Sequence, residues 1–440
     1  ARERGRHRCV GGGGGALRQR STRIARTGGG DDPEPQTRQE PAHDGGDVIP
    51  AGGAVHDQDR VTVWWPRFDE AHLAQGRQNR VGVRTRFAPL CTHAHQSVTA
   101  RTRSQRPGGG RSGDWARREG HDGPVPATDP RLDGAIDVEE PLAWFGGLLG
   151  LGLQEVSDDP AVLEGGGRWA VVMNFEGPAV FARFERWQPC KAATLPGAWT
   201  GPAVESWSSS LDRDAYRAGV GSIRAAVSRG DVYQANLCRV LSAPLPDPGS
   251  CHPMALARLL AAGNPAPYAG ALMLPEGSDG TRVAVTCASP ELYLRRDGDY
   301  VLSRPIKGTA VTPEGLLDKD RAENVMIVDL VRNDLGVIAR PGSVGVPEFL
   351  HVETHPGLVH LVSGVSARLR SGFGWPELIG ATFPPGSVTG APKSSALRII
   401  SALEPVPRGP YCGGIGWVDA DRGVGELAVG IRSFWQTGSA

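Results

Sequence analysis

The chain divides into a first part without lasting hydrophobic periodicity and a longer part in which short apolar runs alternate with turn residues. Residues 1–132 are rich in Gly, Arg, Pro and Gln and keep neither a helical nor a strand repeat. Because such a composition cannot bury a core, we expect this segment to be disordered or mistranslated. The alternative is an Arg/Gly arm that binds nucleic acid.

Apolar alternation begins near residue 133. The run PLAWFGGLLGLGLQEV is followed by RWAVVMNFEGPAVFARFERW, which alternates on both sides of Glu176-Gly177 and predicts a hairpin. A Pro- and Ser-rich join, PGAWTGPAVESWSSS, then separates these strands from the rest of the chain. We therefore predict that residues 133–210 are the remnant of an N-terminal subdomain.

Residues 211–440 carry the clearest helix and strand signals. A helix is predicted between Asp212, as its cap, and Gly230, with one apolar face of Tyr216, Val220, Ile223 and Val227. Further helices are predicted around Met254 to Ala262, in DKDRAENVMIVDLVRNDLG, and in TGAPKSSALRIISALE with Leu397, Ile400 and Leu403 inward. Strand signals lie in VYQANLCRVL, VAVTCASPELYLRR, YVLSRPI, CGGIGWV and LAVGIRSFW. Strands dominate and helices come in blocks, so the predicted class is α+β.

Composition narrows the class of protein without identifying it. The formal net charge is zero, although residues 1–130 hold 21 Arg against 15 acidic residues, so we expect neither nucleic acid nor a membrane as partner. Seven widely spaced cysteines without a CxxC pair indicate a reduced intracellular protein. Since no apolar run reaches the roughly 20 residues of a membrane span, we expect a cytoplasmic location.

One lysine stands out against this composition. Only four of the 48 basic residues are lysines, and one of them, Lys307, lies in SRPIKGT. An amine whose pKa is lowered can lose its proton and act as a nucleophile, whereas a guanidinium stays protonated. The alternative is a lysine in a salt bridge, but arginine would serve that purpose equally well. We therefore treat Lys307 as a candidate nucleophile.

Seven phrases in one order give the sequence a family resemblance. Between residues 212 and 435, about half of the chain, it resembles the chorismate-binding domain of the anthranilate synthase and aminodeoxychorismate synthase family. The phrases are GDVYQANL, SPELYLRRDG, RPIKGT, DRAENVMIVDLVRNDLG, HLVS, GSVTGAPK and YCGGIGW. The resemblance implies a chorismate-utilising fold, in which antiparallel sheets pack as a sandwich with flanking helices.

The resemblance also implies the chemistry of three residues. PIKGT is similar to the aminodeoxychorismate synthase branch, whereas anthranilate synthases usually have a small residue at the position of Lys307. In that branch the lysine adds to the chorismate ring, and ammonia then displaces it. Glu291 matches the acid that protonates the departing hydroxyl, and His360 a histidine close to the leaving group. The alternatives are a solvated strand-end glutamate and a histidine tied into a core hydrogen bond.

Further matched positions imply contacts with the substrate. The water-adding relatives, the isochorismate and salicylate synthases, carry a lysine base near the position of Gln234. The glutamine argues against them, since an amide takes no proton at neutral pH. The turn GSVTGAPK resembles one that holds a carboxylate, although Thr389 and Pro392 also predict a plain helix cap. The positions implied to bind substrate are Gln234, Ser387, Thr389, Gly390, Tyr411 and Arg432, with a structural strand arginine as the alternative for Arg432.

A metal ion and a protein partner are also implied. Asp320 and Glu323 share a helix face and match acids that bind Mg²⁺, although paired acids on a helix are commonly a solvated face. The resemblance further implies a glutamine amidotransferase subunit that supplies ammonia. In the family a glycine-rich strand and a helix with two more metal-binding glutamates follow, so we expect the C-terminal end of the catalytic domain to be missing and activity to be weak or absent. The alternative functions are an anthranilate synthase component I and an inactive chorismate-binding fragment.

Overall fold

The computed structural model describes residues 137–276 and 282–437, so the prediction for residues 1–132 lies outside the described residues. The helices are α1 (Arg213–Arg229), α2 (Pro253–Gly263), α3 (Asp318–Gly336), α4 (Trp375–Thr382) and α5 (Lys393–Leu403). The strands are β1 (Leu142–Phe145), β2 (Leu148–Ser157), β3 (Arg168–Met173), β4 (Val180–Pro189), β5 (Ser208–Ser209), β6 (Gln234–Ala235), β7 (Leu241–Ser242), β8 (Tyr268–Leu274), β9 (Val283–Ser289), β10 (Leu292–Asp297), β11 (Tyr300–Arg304), β12 (Ile306–Ala310), β13 (Gly345–His355), β14 (Leu358–Arg368), β15 (Gly390–Ala391), β16 (Gly414–Asp419), β17 (Val424–Val429) and β18 (Ser433–Gln436). Among the described helices, none is both long enough and apolar enough to cross a membrane.

Most of the strands form one long antiparallel sheet. Their order is β12-β14-β11-β10-β17-β16-β3-β4-β2-β1-β8-β9-β18, with β13 paired to β14. Two short ribbons, β15-β6 and β5-β7, lie apart from it. The sheet joins β3, from the segment predicted as an N-terminal remnant, to β16 near the other end of the chain.

The core shows that this sheet folds over on itself. Ala170 and Val172 of β3 belong to the same buried cluster as Leu272 of β8 and Val285 of β9. In a flat sheet β3 and β9, five strands apart, would be separated by about 24 Å. Residues of β16 and β8, which are also five strands apart in this order, nevertheless have Cα atoms within 8 Å of each other, which requires the two halves of the sheet to stack face to face and confirms the predicted sandwich within an α+β fold.

The helices cover the outer faces of the sandwich. The side chains of β3 alternate, so Trp169, Val171 and Met173 point away from the inner cluster and join a second one with Ile327 and Val331 of α3. On the other half, Leu142 and Trp144 of β1 pack against Met254 of α2. Helix α3 matches the predicted helix at both ends and lies over the half of the sheet that carries β10, β11 and β14.

Helix α1 follows the prediction at its ends and departs from it on one face. Asp212 Oδ1 accepts a hydrogen bond from the N–H of Ala215 (2.8 Å), and Gly230 closes the helix with a left-handed φ of 81°. Val227, however, is exposed, and Ala226 is buried instead. The apolar face therefore rotates by one residue in its last turn, and the prediction of Val227 as an inward residue was wrong.

The cap of α1 gives a testable contribution to stability. Replacing Asp212 by alanine is expected to lower the free energy of unfolding by about 1 kcal/mol, because the N–H of Ala215 loses its partner at the helix end. Urea unfolding followed by circular dichroism measures this loss. Asp212→Ser, which keeps an acceptor oxygen, should retain most of the stability; equal losses for both variants would contradict a capping role.

Three predicted strand runs are interrupted. VYQANLCRVL forms only β6 and β7, because Cys238 N–H donates to Glu404 Oε1 (2.7 Å) and Val240 N–H to Ser210 Oγ (3.0 Å) instead of to a neighbouring strand. VAVTCASPELYLRR splits into β9 and β10 at Pro290, which lacks the N–H that a ladder needs. LAVGIRSFW splits into β17 and β18, which pair with different parts of the sheet.

Candidate active site

Glu291 lies at the break between β9 and β10, with its side chain inside the protein. The backbone N–H of Glu291 donates to Ser289 Oγ (3.2 Å), and its C=O accepts from the N–H of Val429 (3.0 Å). Only 4% of Glu291 is exposed. The break in the strand is therefore fixed from both sides, and it holds a carboxylate in the interior rather than at a solvated strand end.

Lys307 is the second buried ionisable group, and the β10–β11 hairpin brings it beside Glu291. After the hairpin the chain returns opposite Glu291 at Ile306, whose N–H donates to the Glu291 carboxylate. Lys307 is 2% exposed, and its Nζ donates to the C=O of Ser387 at 2.7 Å. The two side chains are close enough to interact electrostatically. A buried lysine beside a buried glutamate distinguishes this site from a surface salt bridge.

Ser387 connects both members of this pair. Its hydroxyl donates to the Glu291 carboxylate, while its C=O accepts from Lys307 Nζ and from Asn236 Nδ2 (2.9 Å). Asn236 is a site residue that sequence reasoning missed, although it lies in the matched phrase GDVYQANL. The turn that carries Ser387 thus sets the positions of both ionisable groups.

Burial shifts the two groups towards their neutral forms. Desolvation raises the pKa of Glu291 to about 7, against the opposing effects of the Ser387 hydroxyl and the Lys307 charge. Desolvation also lowers the pKa of Lys307, with the charges of Glu291 and Glu323 opposing it. A protonated carboxyl beside an unprotonated amine is the combination that a general acid and a nucleophile need near neutral pH.

His360 lies on β14 at the edge of this site. Its Nδ1 is 2.8 Å from the hydroxyl of Thr309, which is two residues beyond Lys307 on β12. Desolvation, together with the charges of the neighbouring His355 and Arg432, lowers the pKa of His360 to about 4. His360 is therefore neutral at pH 7, a form in which the ring both donates and accepts hydrogen bonds.

The β6–β15 ribbon places the remaining residues of the substrate turn. Gln234 pairs with Ala391, and its Nε2 donates to Asn236 Oδ1 (3.2 Å), while its own Oε1 is buried without a hydrogen-bond partner. The Thr389 hydroxyl donates back to the C=O groups of Pro385 and Gly386 (3.2 and 3.1 Å).

Helix α5 starts only at Lys393 and has no side-chain cap. The alternative of Thr389 as its N-cap was therefore wrong, and so was the predicted helix start before Lys393. The first N–H groups of the helix carry no side-chain acceptor, as a carboxylate-binding end requires.

Gly390 gives a prediction for this ribbon. Its φ of 151° is one that side chains disfavour, and an added Cβ would overlap the C=O of Gln234. Gly390→Ala is therefore expected to destabilise the protein by about 3 kcal/mol or more in urea unfolding. The matched control is Gly380→Ala, since Gly380 lies in α4 with nothing near an added Cβ. Equal stability of both variants would show that the ribbon tolerates a side chain.

Arg432 and Tyr411 hydrogen-bond with residues other than Glu291 and Lys307. Arg432 has a left-handed φ of 53°, and its Nη1 donates to Asn264 Oδ1 (3.4 Å). Its guanidinium is near enough to His360 to affect the pKa of that ring. The Tyr411 side chain is partly buried and hydrogen-bonds with the thiol of Cys238.

The two predicted metal ligands lie on the first turns of α3. Asp320 caps its own helix, because its Oδ2 accepts from the N–H of Leu317 (2.9 Å), and its Oδ1 is 3.7 Å from Lys319 Nζ. Glu323 is half-buried, and its negative charge is close enough to Lys307 to raise the pKa of that amine. Mg²⁺ commonly takes one or two carboxylates and completes its shell with water and substrate oxygens. Glu323 would supply one carboxylate to such an ion, and Asp320 would supply a second only by giving up its bond to the N–H of Leu317. Within residues 137–276 and 282–437, no group of three or more His, Cys, Asp or Glu is placed to hold a metal.

Arg408 is a structural residue of the site that sequence reasoning missed. It is 0% exposed, and its guanidinium donates to the C=O groups of Asn236 (2.7 Å) and Val388 (2.9 Å). It also forms an ion pair with Glu404 (2.6 Å) and lies over the ring of Phe175 at 4.3 Å. The phrase EPVPRGP has no periodicity, so no signal marked this arginine. Its hydrogen bonds tie the Asn236 segment to Val388, the neighbour of Ser387.

Comparison with known proteins identifies the family of this chain. A sequence model for the family described as chorismate binding enzyme matches residues 170–440, which include all the residues proposed above. The chain belongs to this family. Over 241 residues it is 40% identical to aminodeoxychorismate synthase component 1 of Klebsiella aerogenes, covering 52% of this chain and 51% of the relative.

The relatives of this family member differ in their activities. Over 248 residues the chain is 39% identical to an anthranilate synthase component 1 of Haloarcula marismortui, covering 53% of this chain and 48% of the relative. The chain thus spans about half the length of the curated relatives it matches. The anthranilate synthase component I structure of Streptococcus pneumoniae superposes with a TM-score of 0.53 at 22% identity, covering 73% of this chain and 88% of the other. That likeness supports the fold.

Proposed function

We propose that this chain carries the catalytic site of an aminodeoxychorismate synthase component I, which converts chorismate and ammonia into 4-amino-4-deoxychorismate. The observation that carries the proposal is the buried pair of Lys307 and Glu291, joined through Ser387. A lysine is needed here only if its amine reacts, because arginine would provide the charge without the nucleophile.

The proposed first step uses the pair together. The unprotonated Lys307 amine forms a bond to the chorismate ring, the bond to the ring 4-hydroxyl breaks, and Glu291 gives its proton to that oxygen, so that water leaves. The shared Ser387 turn holds donor and nucleophile in fixed positions, which lowers the entropy cost of the step.

In the second step ammonia attacks the 4-position of the ring, and the bond to Lys307 breaks to regenerate the free amine. The proton released by ammonia returns to Glu291, which restores the starting state of the site. We propose that the ammonia comes from a glutamine amidotransferase subunit, since the relatives bear the name component 1. Gln234 fits amination rather than hydration, because its amide cannot deprotonate a water molecule at the ring.

The carboxylates of chorismate would be held by two parts of the site. The N-terminal N–H groups of α5, preceded by the Ser387 turn, suit one carboxylate, and Arg432 suits the other. Mg²⁺ held by Glu323 would neutralise the charge of a substrate carboxylate. His360, neutral at pH 7, would hydrogen-bond near the leaving hydroxyl.

Product analysis tests the proposal. The full chain is incubated with chorismate, Mg²⁺ and an ammonium salt, which replaces the amidotransferase, and the products are separated and identified by mass. The expected product is 4-amino-4-deoxychorismate, which yields para-aminobenzoate only when a lyase is added. Chorismate that binds in calorimetry yet is never consumed would instead favour an inactive chorismate-binding fragment.

Anthranilate synthase component I is the second candidate, because a relative of that activity is 39% identical to this chain. Its product differs in a way that the same incubation detects. Fluorescent anthranilate appearing without any added lyase would overturn the aminodeoxychorismate assignment.

A further inference from the structure

Two cysteines that are far apart in the sequence meet beside the active site. Cys238 and Cys412 are separated by 174 positions, and their Sγ atoms are 4.0 Å apart. Both are free thiols in this structure. The sequence showed only isolated cysteines, so this pair is a product of the fold.

The two thiols have different surroundings. Cys238 is partly exposed, whereas Cys412 is 1% exposed. The hydrogen bond from the Cys412 thiol lowers the pKa of Cys238, and the guanidinium of Arg408 lowers it further, against the effect of burial. Burial raises the pKa of Cys412 well above its usual value. Cys238 is therefore the better placed of the two to attack as a thiolate, and Cys412, with its Sγ 4.0 Å away, is placed to resolve the product.

The pair is connected to the residues that hold the catalytic lysine. Cys238 lies two positions after Asn236, whose amide shares the Ser387 C=O with Lys307 Nζ. Cys412 follows Tyr411, whose side chain hydrogen-bonds with the Cys238 thiol. Both thiols also interact electrostatically with Lys307. A shift of either cysteine would therefore reach Lys307 through a short series of neighbouring contacts.

We propose that Cys238 and Cys412 are an oxidation site, at which a peroxide closes a disulfide and thereby switches off the neighbouring active site. The Cys238 thiolate attacks one oxygen of hydrogen peroxide, the O–O bond breaks, and a sulfenic acid and hydroxide form. The Cys412 sulfur then attacks the sulfenic sulfur, water leaves with the thiol proton, and the disulfide is complete. Two thiols are oxidised and one peroxide is reduced to two waters.

Closure has a geometric consequence. The sulfur atoms must move from 4.0 Å to about 2.05 Å, the length of a disulfide bond. Their segments are held by Glu404, which accepts from the Cys238 N–H (2.7 Å), and by Gly430, which accepts from the Cys412 N–H (2.8 Å). The approach therefore draws the Asn236 segment and the Tyr411 segment towards each other and disturbs the contact of Asn236 with Ser387.

Peptide mapping tests the pair without reference to any reaction. The full chain is exposed to stoichiometric hydrogen peroxide, its remaining thiols are alkylated, and its digest is analysed by mass spectrometry before and after dithiothreitol. A peptide pair linked through Cys238 and Cys412 that separates on reduction is expected. Alkylation of both cysteines to the same extent as in the untreated protein would overturn the proposal.

Calorimetry with chorismate tests the switch, and this readout rests on the proposed function. Oxidation is expected to weaken chorismate binding by about tenfold or more, as expected for the loss of a positioned hydrogen-bond network. Dithiothreitol should restore it. In Cys238→Ser, peroxide should leave the affinity unchanged, whereas in Cys190→Ser the loss should persist. A disulfide-linked protein that binds chorismate as tightly as the reduced one would overturn the switch.

Reduced protein that binds no chorismate would count against the proposed function, while the peptide map still decides whether the disulfide forms.

Discussion

Replacing Lys307 by alanine is expected to lower the rate of 4-amino-4-deoxychorismate formation by about 10³-fold or more, because the step that forms the bond to the ring loses its nucleophile. The amine is 2% exposed and is held by the Ser387 C=O at 2.7 Å, so no solvent group replaces it. Product formation from chorismate and ammonium measures the loss, and circular dichroism shows whether the variant is folded.

Two further variants separate the chemistry of Lys307 from its charge. Lys307→Arg keeps a positive charge that stays protonated, so it should be as inactive as the alanine variant. Lys191→Ala changes an exposed lysine elsewhere and should retain the full rate. An active Lys307→Arg protein would show that the site needs only a cation, and the assignment of a nucleophile would be wrong.

Glu291→Gln is expected to lower the same rate by about 10²- to 10⁴-fold, the contribution typical of a positioned general acid. Glutamine has nearly the same volume and still bonds with Ser387, but its amide has no acidic proton for the departing hydroxyl. The variant should therefore bind chorismate with little change, as calorimetry can show. A loss of binding equal to the loss of rate would instead indicate that Glu291 holds the substrate.

The pH dependence provides a second readout for Glu291. Its pKa is raised to about 7, and the acid acts only while it carries its proton. Activity should therefore decline as the pH rises through about 7, because the carboxyl ionises. The same raised pKa means that the folded state binds this proton more tightly than the unfolded one, so the associated stability is present at low pH and is lost as pH passes about 7. In Glu291→Gln both dependences should disappear; an alkaline decline that persists would assign it to another group.

The parts of the fold that sequence predicted are those whose signals are local. Helix α3 matched because its apolar spacing repeats over five turns, and the Asp297-Gly298 turn fixed the β10–β11 hairpin. The same hairpin places Glu291 beside Lys307. The centre of the site could therefore be predicted from the turn and from the alternation of the two strands. Local pattern was sufficient wherever neighbours in sequence are also neighbours in space.

The remainder depends on partners that are distant in sequence. The segment around Gln234 is not a continuous strand, because its ladder partner is the two-residue β15 more than 150 positions away. The neighbouring sequence does not mark Arg408 or the Cys238–Cys412 pair, because the residues that they contact are far away along the chain. Val227 was predicted to be buried, but Ala226 takes that place. The apolar face of a helix can shift by one residue in its last turn while its period stays the same.

The most direct measurement is the mass of the Lys307 peptide after incubation with chorismate and Mg²⁺ in the absence of ammonia, followed by acid quenching. We expect a peptide that is heavier by chorismate less one water, that loses this mass when ammonium is added, and that is absent from Lys307→Ala. If chorismate is aminated at the normal rate when ammonium is added, while the Lys307 peptide before that addition is entirely unmodified, the lysine is not the nucleophile.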